Sequence, residues 1–237
     1  MTDIEQRKID EKIIEDLYQA MAKTTEYQTL LVSIKPLVEG LKTSSYAATV
    51  LQSSTYALMQ QSEKMKNRAL LLKETVNTAS SKEATTLQKA FSYLGLFEAS
   101  VTTLMDLLLM IFIANHHDFF VFQNKAYAKN IDDLSDSSLA EKMTFFNHHG
   151  LLLIAQNINK NLRNKVAHMD FDVQPDGKIK IANQKYDLDY EILKLSAMVL
   201  LITHALESLG LPQILGRLAQ SEQNRSKSLG PTRPSKI

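Results

Sequence analysis

The chain contains no cysteine and no tryptophan, and only five prolines and seven glycines in 237 residues. Without cysteine, disulfides, thiol nucleophiles and Cys-ligated zinc are excluded. With so little Gly and Pro, and with rich Leu, Ala, Lys and Gln, the composition points to a mostly helical chain. No glycine-rich phosphate loop, nucleophile elbow or internal repeat is present. The opening residues, Met1 to Arg7, are polar and carry no signal-peptide pattern, so a cytoplasmic protein is expected. Long apolar runs are also scarce. The longest, Leu107 to Ala114, falls far short of the ~20 residues of a membrane span, and Glu98 and Asp106 interrupt the wider window. A buried central helix is expected there, with no membrane partner.

What is present fits an ordinary globular chain of 44% hydrophobic and 22% charged residues, long enough for one large domain or a domain with an extension. The net charge of +1 conceals an asymmetry. Residues 91–215 carry ten basic and fourteen acidic side chains, a net −4, whereas residues 216–237 carry five basic and one acidic. That balance argues against a broad basic platform for long nucleic acid and leaves room for a cleft that engages a single phosphate.

Three regions follow from periodicity and breaks. Residues 1–80 read as an N-terminal helical hairpin or extension. Its first arm, 3–35, carries Ile9, Ile13, Leu17 and Met21 as a stripe, with a weak point at Thr24-Thr25 and a kink or boundary at Pro36. Its second arm covers 45–78. Residues 81–215 read as the main helical bundle, opening with a strongly apolar helix from about 82 to 115. A polar connector, 115–138, leads to a helix capped by Ser138 or Ser137, broken at His148-His149-Gly150 and resumed from Leu151. Phe171-Asp172-Val173, Pro175-Asp176-Gly177 and Lys178-Ile179-Lys180-Ile181 have the pattern of a β-hairpin. Asp187 or Asp189 caps a last helix, 190–209, which Gly210 and Pro212 stop. Residues 216–237 read as a disordered basic tail. The expected fold is all-α, a helical bundle with one short β-hairpin.

The stretch that carries chemistry is Asn161-Leu162-Arg163-Asn164-Lys165-Val166-Ala167-His168. Asn164 and His168 lie four apart and share a helix face, and the long stem of Arg163 lets its guanidinium reach the same side. A fixed cation, an amide and a titratable imidazole at one place suit a phosphodiester. By spacing alone, chance supplies about 0.15 Arg-x4-His pairs in a chain of this content. The bland alternative is a surface arginine and a helix-end histidine. Context favours the sharper one: Ile154, Ile158 and Leu162 precede the motif at helical spacing, and Phe171 and a turn follow it.

In this setting the motif resembles the HEPN superfamily, whose signature is an Arg, a polar residue, three more positions and a His within a small helical bundle. The resemblance covers residues 83–209. It implies a metal-independent endoribonuclease that works as a homodimer, with RNA as substrate and no cofactor. It also implies a toxin–antitoxin, phage-defence or RNA-stress role, with an inhibitory antitoxin or an activator as a further partner. By the same resemblance His168 is the general acid or base, Arg163 holds the scissile phosphate, and Asn164 orients one of them. Lys160 and Lys165 add positive potential for RNA. An acid from an earlier helix supports the motif, with Asp106 favoured slightly over Glu98 as the partner of Arg163. Some family toxins carry a modifiable tyrosine two residues after the His. Asp170 stands there in this chain, which argues against that route of regulation. The alternative function is a non-catalytic HEPN-like module for dimerisation or partner binding, and a remoter one is a helical scaffold with an accidental motif.

The histidine pairs His116-His117 and His148-His149 invite a metal reading. Adjacent helical residues point about 100° apart, so neither pair chelates through one face, and no metal is expected. His204, near Glu207, is expected to be a hydrogen-bonded core histidine.

Overall fold

The computed structural model describes residues 3–43, 46, 50, 51, 82–134 and 136–217. The second arm of the expected hairpin, 45–78, falls almost wholly outside these residues, as does the tail beyond Arg217. What is described is mainly α-helix with small antiparallel strand pairs.

Helix α1 (Asp3–Ala22) and helix α2 (Thr25–Gly40) meet at Thr24, whose hydroxyl accepts from the Tyr27 N–H and caps α2. Pro36 lies inside α2 and marks no boundary. After α3 (Lys82–Leu96) the backbone passes through a π-helical turn, Phe97–Val101, into α4 (Thr102–Ala114). Ala84–Ala114 is apolar and long enough to cross a membrane by length and composition. Here it is also the centre of the core: ten of the thirteen α4 residues are buried, Leu108 to Ile111 at 0% exposure. Asp106 is among the ten.

A two-stranded pair, β1 (Phe120–Val121) with β2 (Ala126–Tyr127), occupies what the sequence presents as a plain connector. A short helix, α5 (Ile131–Leu134), follows. Ser138 and Glu141 then form a reciprocal capping box at the start of α6 (Leu139–His148). Gly150, at φ +79°, ends that stretch. The helix expected from Leu151 through the motif is in fact two. Ile158 turns extended after α7 (Leu152–Asn157), and Asn159 caps α8 (Lys160–Ala167) by accepting from the Leu162 N–H. The break re-aims α8, so the motif has its own helix.

Beyond α8 the strands form a three-stranded antiparallel meander, β3 (Asp172–Val173), β4 (Ile179–Ile181) and β5 (Gln184–Tyr186), where one hairpin was expected. The added strand follows a two-residue turn in which Ala182 takes φ +53°, a conformation usually signalled by glycine. Asp187 caps α9 (Leu188–Ser208). Pro212 stops nothing. It lies in the first turn of α10 (Leu211–Arg217), where its missing N–H is harmless.

Helix α1 packs along α9, α9 against α3, and α2 against α7, around one apolar core that runs from Met21 to Ile214. At the end of α2, Gly40 admits Asn115, whose Nδ2 donates to Leu37 O and Ile111 O at 3.0 and 2.8 Å. A Cβ at residue 40 would stand 2.3 Å from the Asn115 Oδ1. We therefore expect Gly40→Ala to lower unfolding stability by about 1–3 kcal/mol despite alanine's better helix propensity. Urea denaturation decides it: an unchanged or raised midpoint would mean that Asn115 moves aside freely.

Candidate functional site

The motif side chains are positioned by α8 and by what faces it. Arg163 is half-buried and points at the π turn. Its Nε and Nη2 both donate to Glu98 Oε1, at 2.9 and 2.5 Å, and its Nη1 donates to Asn164 Oδ1 at 3.2 Å. The guanidinium carbon lies 5.9 Å from the centre of the Phe97 ring, within cation–π range. Three residues of the π turn and α8, Phe97, Glu98 and Asn164, thus fix one cation. The π turn matters because a register of five, seen in the bond from Thr102 N–H to Phe97 O, rotates Glu98 relative to an uninterrupted helix. Tyr93, fully buried one turn earlier, feels this charge. Burial chiefly raises its phenol pKa, Glu191 and Tyr186 add to the rise, and Arg163 opposes it.

His168 is the last residue of the helical turn. Its N–H donates to Asn164 O at 3.1 Å, Met169 N–H to Val166 O and Asp170 N–H to Lys165 O, which is a Schellman closure. Met169 occupies the left-handed position at φ +55°, where glycine is usual. A non-glycine residue there stores about 1–3 kcal/mol of strain. The closure leaves the His168 imidazole exposed, with no hydrogen bond among the described residues. Lys165 forms an ion pair with Asp170, so the acid in the expected tyrosine position neutralises one of the two lysines assigned to RNA. Lys160 is exposed and makes no ion pair among the described residues.

The supporting acids divide differently from expectation. Asp106 does not pair with Arg163. It pairs with Lys142 of α6 at 2.5 Å, both side chains being 4–6% exposed, while Glu98 takes Arg163. The reason is depth: Asp106 sits on the buried face of α4, and the π turn brings Glu98 to the surface beside α8. Both pairs nevertheless line one cleft of about 270 Å³, walled by Phe97, Met105, Ser137 and Leu139. Burial is the main influence on Asp106 and raises its pKa; Lys142 lowers it and Glu98 raises it further. Sequence reasoning missed Lys142. A signal existed, because Lys142 falls between Leu139 and Phe146 on the apolar stripe of α6.

The remaining histidines lie elsewhere. His117 and His149 meet edge-on at 5.6 Å, with His149 stacked on Phe145. Burial, reinforced by His149, lowers the pKa of His117, against an opposing pull from Asp118. Among the described residues no three His, Asp or Glu side chains are grouped to hold a metal ion. His204 is exposed, not buried; its Nδ1 lies 3.4 Å from the Tyr18 hydroxyl of α1.

Compared with protein-family models, with curated proteins and with solved structures, the chain matches none.

Proposed function

We propose that the chain is a metal-independent endoribonuclease of HEPN type, with Arg163, Asn164 and His168 as its reacting set. One observation carries the reading. The guanidinium of Arg163 is immobilised by Glu98, Asn164 and Phe97, while the imidazole of His168, at the end of the same short helix, is exposed and makes no hydrogen bond among the described residues. A structural ion pair accounts for the first half of that arrangement; an exposed imidazole beside it is what proton transfer at the motif requires.

In this mechanism Arg163 binds a non-bridging phosphate oxygen through the donors that Glu98 and Asn164 leave free. It stabilises the charge that builds on the phosphorane. An imidazole takes the ribose 2′-hydroxyl proton; the 2′-oxygen bonds to phosphorus, and the 5′-oxygen leaves with a proton from a second donor. Two copies of His168, one from each subunit of a homodimer, supply base and acid in one cleft. The products are a 2′,3′-cyclic phosphate and a 5′-hydroxyl. Glu98 acts as a positioning residue through Arg163. Lys160 supplies the nearby positive potential better than the paired Lys165.

The test is cleavage of single-stranded RNA by the purified protein in EDTA. Cyclic phosphate ends and undiminished rates with the chelator are expected. A folded dimer that cleaves no RNA offered would instead favour the partner-binding module, for which the net −4 charge of residues 91–215 speaks.

A further inference from the structure

The cleft beside Arg163 holds two cations and two carboxylates and is formally neutral. Glu98 and Arg163 stand at its mouth, with side chains 28% and 29% exposed; Asp106 and Lys142 form its floor, at 4% and 6%. Burying an ion pair in this way is a poor device for stability, because desolvation consumes most of the attraction. An anion entering the cleft would be attracted by both cations and repelled by both carboxylates. With the floor pair only 4–6% exposed, the least costly relief is protonation of one carboxylate. Asp106 is the one placed to accept it. It is the deeper of the two, and Glu98 already makes its ionised form less favourable. Glu98, by contrast, accepts two guanidinium hydrogen bonds on its Oε1, which protonation would weaken.

We propose that this cleft is a proton-coupled site for a tetrahedral oxyanion, the phosphate group of an RNA backbone, in which Asp106 takes up a proton as Arg163 and Lys142 bind the anion. The inference rests on the reading of Arg163 as a phosphate ligand. Binding breaks the Lys142–Asp106 contact, and the only bond formed is O–H on the Asp106 carboxyl, with the proton drawn from solvent. Lys142 Nζ turns its freed donors to the anion. Among the described residues, the charged groups that share the cleft with Asp106 are Lys142 from α6, Glu98 from the π turn and Arg163 from α8. His168 does not line the cleft but is a second ionisable group of the motif, and replacing it by Gln removes it from the proton count.

Sulfate is the probe, because its charge stays constant between pH 5 and 8. Calorimetric titrations of the His168→Gln protein in two buffers of different ionisation enthalpy should report about one proton taken up per sulfate. Affinity should weaken by up to about tenfold per pH unit as pH rises, the slope of a one-proton linkage. Asp106→Asn in that background should flatten the slope, and Lys142→Met should weaken binding about tenfold or more. No saturable sulfate binding, binding without proton uptake, or an unchanged slope in Asp106→Asn would each overturn the proposal. If Asp106→Asn does not fold, the proton count of the His168→Gln protein decides alone. Proton-coupled sulfate binding in a protein that cleaves no RNA would leave this inference standing and remove the nuclease; cleavage without proton uptake would do the reverse.

Discussion

His168→Gln should reduce RNA cleavage by about 10²–10⁴-fold, the usual contribution of a positioned general acid or base. Arg163→Ala should reduce it by about 10²–10³-fold, as loss of one charge-stabilising donor set does elsewhere. The histidine result is the cleaner of the two. The His168 imidazole is exposed and bonds to nothing among the described residues, so its replacement has little to disturb in the fold. Arg163 is different, because it ties α8 to the π turn through Glu98. Its loss leaves Glu98 half-buried and unpaired, so thermal melting must accompany its kinetics. Single-turnover rates of the two variants and the parent, each shown to be folded, settle the matter. Equal rates in all three would mean that the motif is a helix terminus that happens to contain these residues. A loss confined to Arg163→Ala and matched by a fall in melting temperature would mean a structural ion pair.

Why several helix ends were legible while the surroundings of Arg163 were not can be traced to specific residues. Helical spacing placed Asn164 and His168 on one face, and Ser138, Asp187 and Gly150 announced their helix ends by side-chain chemistry alone. The break at Ile158-Asn159 was hidden because Ile158 continues the apolar spacing although its backbone turns extended. The strand β5 was hidden because Ala182, not glycine, adopts the left-handed turn conformation. Nothing in Phe97-Glu98-Ala99-Ser100-Val101 advertises a π turn, since one residue of extra register leaves no mark in composition. With that extra residue in the register, Glu98 stands beside Arg163. Assigning Asp106 to Arg163 followed from the sound premise that a carboxylate in an apolar helix needs a cation. Two cations were available, and only the packing of α4 against α6 chose between them.

That choice yields the largest expected stability effect. Lys142→Met should cost about 3–5 kcal/mol, because it strands the Asp106 carboxylate in the core without its partner. Adding Asp106→Leu should restore most or all of the loss. Replacing a buried pair by apolar side chains is often neutral or stabilising, and the adjoining cleft has room for the branched chain. The deficit of the single variant should depend on pH with a definite sign. The folded-state pKa of Asp106 is already raised, burial being the main cause, and Lys142 is what holds it down. Without Lys142 it rises further above its unfolded value, so folding takes up a proton and stability falls as pH climbs through the window between the two. The deficit of Lys142→Met should therefore be smaller at pH 5 than at pH 8 in urea denaturation. A deficit equal at both values would mean that water or a moved side chain neutralises Asp106. The double variant then separates architecture from chemistry. If it is as stable as the parent and cleaves RNA as fast, the pair only joins α4 to α6; if it is stable and slow, the floor of the cleft takes part in holding the phosphate.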